Sequence, residues 1–308
     1  MNNRIAAVIV TYNRLEKLKN TLLSYDAQTY NPCSILVVDN NSTDGTHEFL
    51  SQWKAVTSNY NKHVITLENN LGGSGGFHEG MKYALKQDFD WLWIADDDAY
   101  PDQDAFMNLN SSINSNPGYK AICSSVITDE GIDIAHRKIK SDFILGVSAP
   151  IEKYSTDKFD VNIFSFVGSC IERTVIEECG LPYRDFFIWY DDTEYSLRVT
   201  EKYKALCVPA IKVFHDTIIE KEWKYSWKTY YGERNRLKTL ELHLSKNEFN
   251  KYLLRYKLGM IKHFICDYDY YVSQLAGYKD YQLGITGLSN AHLPGSKISK
   301  KGKFSWLK

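Results

Sequence analysis

The chain has 308 residues, with 37 Lys and Arg against 38 Asp and Glu, a formal net charge of −1. That length can bury the core of one large domain, or of a catalytic domain with an appendage, and so balanced a charge sets up no overall field to hold a nucleic acid. The six cysteines, at positions 33, 123, 170, 179, 207 and 266, form no CxxC pair and no metal-ligand spacing, which favours reduced thiols in a cytoplasmic setting.

The first apolar run, Ile5-Ala6-Ala7-Val8-Ile9-Val10, is too short for a signal-peptide core and lacks a cleavage site, so it is expected as a buried first strand. No apolar stretch approaches the roughly 20 residues of a membrane span, and a soluble or peripheral chain is expected. The end of the first strand, Thr11-Tyr12-Asn13-Arg14, should face a crevice. Leu15, Leu18, Leu22 and Leu23 then recur at helical spacing and predict a helix with one core-facing side. Further strands are predicted near residues 34–38, 64–67 and 91–95, with helices between them, the pattern of an α/β sheet built from parallel units.

The second strand delivers Asp39 to its end, where a carboxylate can accept a hydrogen bond from a base or a ribose, while Asp44-Gly45 reads as turn chemistry. The segment Asn69-Asn70-Leu71-Gly72-Gly73-Ser74-Gly75-Gly76-Phe77 is expected as a loop ahead of a helical run over residues 81–86. Its glycines would let the backbone approach a ligand and its N–H groups would suit an anion; a flexible turn is the competing reading. It carries no Gly-Lys-Ser/Thr and is no first-strand dinucleotide fingerprint.

Trp91-Leu92-Trp93-Ile94-Ala95 precedes Asp96-Asp97-Asp98 and brings three carboxylates to a strand end, the edge where open α/β sheets bind ligands. Adjacent like charges repel, so a hard divalent cation with oxygen ligands is their natural partner; an acidic turn ahead of the next helix is the alternative. That helix is predicted after Pro101, with Phe106, Leu109 and Ile113 inward and Asp102 in its first turn.

From about residue 121 to 214 the pattern loosens into shorter strands and loops, including 164–169 and 204–214, expected as a continuation of the same domain. Phe186-Phe187-Ile188-Trp189-Tyr190-Asp191-Asp192-Thr193-Glu194-Tyr195 joins aromatic faces that suit sugar rings to carboxylates able to deprotonate a hydroxyl. A helix cap on a buried aromatic strand is the other reading of it. His215 closes an apolar run as either a structural histidine or a metal ligand. Helix formers dominate from Trp223, and from Lys297 the tail holds five lysines with Phe304 and Trp306, which suits an anionic membrane surface or a solvated end.

In this order the elements resemble the family 2 glycosyltransferases, inverting enzymes of the GT-A fold, and within them the galactofuranosyltransferase branch. The resemblance rests on Thr11-Tyr12-Asn13-Arg14, Asp39-Asn40, the segment 69–77, Asp96-Asp97-Asp98, the segment 189–198 and His215, with Trp227, Tyr230-Tyr231 and Arg234-Asn235 as the downstream pattern of the branch. It implies a Rossmann-like mixed sheet flanked by helices over residues 1–222, with a nucleotide-binding half to about 120 and an acceptor-binding half from about 121, and a helical region over 223–308.

It further implies that Asp96, Asp98 and His215 hold Mn²⁺ or Mg²⁺, that Asp192 is the base, and that Asp191 engages a sugar. Thr11, Tyr12, Arg14, Asp39, Asn70, Gly72, Gly73, Asp96 and Asp97 would contact the nucleotide-sugar donor, and Trp189, Tyr190 and Glu194 the acceptor. The implied reaction moves galactofuranose from its uridine diphosphate to a free or lipid-linked glycan of the cell-surface polysaccharide, O-antigen or capsule type, in the cytoplasm or on the inner membrane face. Deoxythymidine-diphosphate-rhamnose is the competing donor, and a non-catalytic glycan-binding protein on the same fold the competing class. A sugar-nucleotide pyrophosphorylase is disfavoured, because Thr11 to Arg14 occupy the place of its glycine-rich loop. The polymerising mycobacterial members carry an added N-terminal domain, and this chain departs from them in opening on the nucleotide-binding strand.

Overall fold

The computed structural model describes residues 2–217 and 226–296. Strands β1 (Ile5–Thr11), β2 (Ser34–Asp39), β3 (Asn61–Thr66) and β4 (Trp91–Asp96) alternate with helices α1 (Leu15–Asp26), α2 (Thr46–Ala55) and α3 (Gly72–Ala84). Then follow β5 (Ala99–Pro101), α4 (Ala105–Ser115), β6 (Tyr119–Thr128) and the short strands β7 (Gly131–Ile132), β8 (Arg137–Ile139), β9 (Val147–Ser148), β10 (Phe159–Val161) and β11 (Ile163–Phe164). Strand β12 (Ser169–Glu172), α5 (Arg173–Cys179), α6 (Asp191–Lys202) and β13 (Lys204–His215) lead to the last helices, α7 (Trp227–His243), α8 (Lys246–Cys266) and α9 (Tyr268–Leu283).

The main sheet runs β10-β13-β6-β12-β4-β1-β2-β3, with β5 paired to β13 and β7 to β6; β11-β8-β9 form a second sheet. Strands β4, β1, β2 and β3 are mutually parallel, whereas β12 lies antiparallel between β4 and β6. The sheet is therefore mixed, as expected of this fold class.

Strands β1, β2 and β4 are apolar at nearly every position because both their faces are covered, so neither side is left for polar residues. Ile5, Ala7, Ile9, Ile35, Val37 and Trp93 pack with Leu18, Leu22 and Tyr25 of α1 and Phe106, Leu109 and Ile113 of α4. The intervening Ala6, Val8, Val10, Leu36, Val38 and Ile94 pack with Phe77 and Met81 of α3 and Tyr195 and Val199 of α6. Trp93 keeps its indole satisfied in this core by donating from Nε1 to Tyr25 Oη at 2.9 Å.

Several expectations are corrected. The glycine segment is no loop: Gly72 to Gly76 form the first turns of α3. A Cβ on Gly76 would lie 2.4 Å from Val10 Cγ1, and one on Gly80 2.6 Å from Val8 Cγ1, so these glycines let a helix lie directly on β1. Leu23, expected inward, is exposed, and Thr21 and Tyr25 take the core positions beside Leu18 and Leu22. Asp102 precedes the first turn of α4, and Pro101 closes β5. The expected strand over residues 164–169 is broken: β11 ends at Phe164, β12 begins at Ser169, and 165–168 form the turn between them, where Gly168 at φ 67° passes so close to β6 that a Cβ would strike Ser124 Oγ.

The described residues form two units. One runs to Arg184 and resumes at Asp192 through β13; the other joins Asp185–Asp191 to the last helices. In the second unit Gly277 brings α9 onto α7, where a Cβ would sit 2.8 Å from the Tyr230 carbonyl oxygen. The expected boundary near residue 222, the composition change at Trp223 and the lysine-rich tail from Lys297 lie outside the described residues.

Adding a methyl at Gly76 forces the α3 contact with β1 apart, at a cost of about 1–3 kcal/mol. Gly73 has nothing within 4 Å of its would-be Cβ, so there alanine gains about 1 kcal/mol of helix propensity. Urea unfolding of the two alanine variants should move the midpoint down for Gly76→Ala and up for Gly73→Ala; equal shifts would refute the packing account.

Candidate functional site

The register of the sheet assembles the site. Thr11 pairs with Asp39 across β1 and β2, and Val10 with Asp96 across β1 and β4, so the ends of three parallel strands share one edge. His215 comes from far along the chain because β13 pairs antiparallel with β5, setting His215 opposite Ala99, and the Asp216 N–H donates to the Asp98 carbonyl at 2.9 Å. Carboxylate oxygens of Asp96 and Asp98 and a ring nitrogen of His215 consequently lie within 4.8 Å of one another.

Three adjacent carboxylates at a buried strand end need counter-charge. Arg14 Nη1 donates to Asp97 Oδ1 at 3.1 Å and Asp98 Oδ2 at 2.8 Å, Lys17 Nζ lies 3.5 Å from Asp98 Oδ2, and Thr11 Oγ1 donates to Asp97 Oδ2 at 2.7 Å. His215 Nε2 lies 3.3 Å from Asp98 Oδ1. Burial pushes the Asp96 carboxyl up to about 7, with Asp98 adding repulsion, and pushes Asp97 up to about 6 against the pull of Arg14. Burial also opposes charge on Asp98, but the His215 contact and the Arg14 and Lys17 cations overcome it and hold that carboxyl below its ordinary value.

The donor set fits a divalent cation. Two carboxylates and an imidazole suit Mn²⁺ or Mg²⁺, and His215 Nδ1 is buried with no hydrogen-bond partner among the described residues.

The other expected residues divide. Asp39 is fully buried; its Oδ1 accepts from the Ser42 N–H at 2.9 Å while Oδ2 has no partner among the described residues, so a donor group on a ligand could satisfy it. Asn70 Oδ1 accepts from the Gly72 N–H at 2.8 Å and thereby ties the start of α3, with Gly73 next in its first turn. Tyr12 is exposed beside the strand end. Asp97 is 2% exposed and engaged by Thr11 and Arg14, and so braces the strand ends.

Glu194 is 1% exposed and bonded by Arg198 at 2.8–3.0 Å, a buried pair one turn apart on α6. Asp192 Oδ1 accepts from the Thr193 N–H at 2.5 Å and from Thr193 Oγ1 at 3.1 Å. Burial raises its carboxyl above the ordinary value, against the pull of the Thr193 bonds and of His136 and Lys138. Asp191 is buried at the first position of α6.

The aromatic stretch ahead of Asp191 is no strand. Phe187, Trp189 and Tyr190 take φ values of 68°, 64° and 72°, a conformation bulky residues avoid. Asn235 holds it by donating from Nδ2 to the carbonyls of Phe186, Ile188 and Trp189 at 2.8–3.0 Å, and Arg234 Nη2 adds a bond to Phe186 at 3.1 Å. Trp189 lies so close to α7 that a Cβ on Gly232 would meet its Cε3 at 2.8 Å.

Three residues went unread in the sequence, and a fourth, Asn40, was read there without its structural role. Asn40 accepts from the Leu71 N–H and donates to the Gly72 carbonyl, locking the glycine helix to β2. Asp133 and His136 pair at 3.3 Å, and the His136 ring lies 5.4 Å from that of His215. Arg137, fully buried, donates to the carbonyls of Ser124, His136, Val167 and Gly168. Asn40 had a signal in following Asp39 at the strand end; the others lie where no periodicity marked an element.

The family model described as "Glycosyl transferase family 2" matches residues 6–180, more than half of the chain. Among curated relatives, galactofuranosyltransferase GlfT1 of Mycobacterium tuberculosis (strain CDC 1551 / Oshkosh) is 39% identical over 106 residues, 34% of this chain and 33% of its own. The match thus spans about a third of that relative's length. The dTDP-rhamnosyl transferase RfbF of Shigella flexneri is 29% identical over 221 residues, 70% of both chains. In fold, the crystal structure of GalNAc-T7 with UDP, GalNAc and Mn²⁺ superposes with a TM-score of 0.65 at 18% identity, covering 91% of this chain and 54% of that one.

Arg137 offers a test of what supports the His136 region. In Arg137→Leu the carbonyls it serves lose their donor, and with each buried unpaired acceptor costing about 1–3 kcal/mol the variant should lose about 3 kcal/mol or more. A fall below about 1 kcal/mol in denaturant unfolding would mean that water replaces those bonds.

Proposed function

Because the chain belongs to glycosyl transferase family 2, we propose that it is an inverting transferase moving galactofuranose from uridine-diphosphate-galactofuranose to a glycan acceptor with the help of Mn²⁺ or Mg²⁺. The observation that carries the reading is the meeting of Asp96, Asp98 and His215 at the edge where β1 and β2 end. We assign catalysis to residues 1–222, with the donor half up to about 120 and the acceptor half beyond it.

On this reading Asp96, Asp98 and His215 hold the ion, which when bound neutralises charge on the departing diphosphate. Asp39 accepts a hydrogen bond from the nucleoside through its Oδ2, which has no partner among the described residues, while Thr11, Tyr12, Arg14, Asn70, Gly72 and Gly73 shape the same crevice. Asp192 takes the proton from the acceptor hydroxyl as that oxygen attacks the anomeric carbon, and the carbon–diphosphate bond breaks with inversion. Asp191 engages a sugar hydroxyl, and Trp189 and Tyr190 offer aromatic faces to the acceptor. The acceptor class we favour is a free or lipid-linked cell-surface polysaccharide, made on the cytoplasmic face. Among the described residues no helix is long and apolar enough to cross a membrane, and the lysine-rich tail is proposed as a peripheral contact.

The match to a rhamnosyl transferase over 70% of this chain supports deoxythymidine-diphosphate-rhamnose as the second reading of the donor. A melting-temperature panel of nucleotide sugars with Mn²⁺ decides between them, since a ligand that binds only the folded state raises its stability. The largest rise is expected with uridine-diphosphate-galactofuranose, and it should shrink on omission of Mn²⁺ and in Asp98→Asn. A larger rise with the rhamnose donor would transfer the assignment, and no rise with any donor would favour a non-catalytic glycan binder.

Asp192→Asn should lower kcat by about two to four orders of magnitude, the usual contribution of a general base, while donor affinity measured by calorimetry stays within about twofold. Because the Asp192 carboxyl is raised, the base is lost on acidification earlier than an ordinary carboxylate would be. The acid limb of the kcat profile is therefore expected above the usual carboxylate range, and a variant turning over at the wild-type rate would remove Asp192 from the role.

A further inference from the structure

We propose that the outward face of α8 docks on an anionic lipid surface. The proposal goes beyond sugar transfer and does not depend on it. Helix α8 turns Tyr256 and Met260 into a small core with Tyr278 and Leu237, and buries Phe249 on the same side against Tyr281. On the side opposite these residues, where a helix on a water-facing surface carries polar groups, stand Leu254, Leu258, Ile261 and Ile265, exposed to 61%, 58%, 59% and 62%. Their spacing of four, three and four residues puts them in one stripe along the helix.

Cations border the stripe on both sides. At 3.6 residues per turn, Lys251, Arg255 and Lys262 fall along one edge and Lys246 and Lys257 along the other, all exposed. The one acid of the helix, Glu248, sits at its start, where its carboxylate bonds Ser245 in the N-terminal cap. An apolar strip between cationic margins is the surface that sinks into the headgroup layer: the leucines and isoleucines enter the acyl boundary while Lys and Arg stems lie along it and raise their charges to the phosphates. A second copy of this face would bring the same five cations opposite one another, so charge complementarity selects an anionic partner over self-association. The helix lies on the surface and does not span it.

The test is co-sedimentation of the full chain with vesicles of phosphatidylcholine alone or mixed with phosphatidylglycerol. Binding is expected to the anionic vesicles and to weaken with added salt. Two variants divide the contributions: the quadruple Leu254→Ser, Leu258→Ser, Ile261→Ser, Ile265→Ser and the triple Lys251→Glu, Arg255→Glu, Lys262→Glu. Each should lower the partition coefficient about tenfold or more, with circular dichroism and the unfolding midpoint showing that the helices persist.

Equal binding to neutral vesicles, or anionic binding that either variant leaves intact, overturns the proposal; the latter would assign attachment to the tail. A dimer in sedimentation velocity that the serine variant dissolves, without vesicle binding by the wild type, would give the face to a second copy. Asp192→Asn should bind vesicles like the wild type, so failure of the catalytic reading and failure of this one are read separately.

Discussion

Three consecutive carboxylates at the end of a strand covered on both faces set the terms for their whole neighbourhood. Burial raises Asp96 and Asp97, and the folded chain tolerates them because Arg14, Lys17, Thr11 and His215 converge on them from α1, β1 and β13. Removing a partner from such a cluster leaves an uncompensated charge in a poorly solvated place, which is more costly than the pair itself is favourable. The cluster therefore dictates which strand ends must sit side by side, and with them where the ligand atoms of Asp96, Asp98 and His215 meet.

The same edge also requires thin walls. Gly76 and Gly80 let α3 lie against Val8, Val10 and Val38 at distances that a methyl group forbids, and Asn40 ties the first turn of that helix back to β2. A segment with the composition of a flexible loop is thus a helix pressed on a sheet. Its glycines work through packing with β1 and β2, and the backbone at the start of α3 is held by Asn40 and Asn70.

A separate economy governs the residues ahead of Asp191. Phe187, Trp189 and Tyr190 sit in a left-handed backbone conformation, which offers their segment neither a strand ladder nor the bonds of a helix. Asn235 and Arg234 supply the missing donors, which gives the Arg-Asn pair of the family resemblance a structural meaning: it holds the strained segment that precedes the two carboxylates of α6. Strain held in place by a dedicated partner is a usual accompaniment of working sites.

The sequence by itself determined the alternation of strands and helices in the first 120 residues, because runs such as 5–10 and 91–95 are long, apolar and bounded by turn residues. It also marked Asp39, the Asp96 to Asp98 triplet and Asp192, since charged residues at the close of apolar runs stand out by contrast. It misread Gly72 to Gly76, because glycine composition reports backbone freedom and says nothing of the neighbour that demands it. Only the tertiary structure shows that Arg14 bonds Asp97 and Arg198 bonds Glu194, and what Asn40, His136 and Arg137 hold. The family resemblance joined His215 to Asp98, and the tertiary structure supplies the means, the antiparallel pairing of β5 with β13. Such pairings are contacts between residues far apart in the chain, and no local pattern encodes a partner that lies more than a hundred residues away.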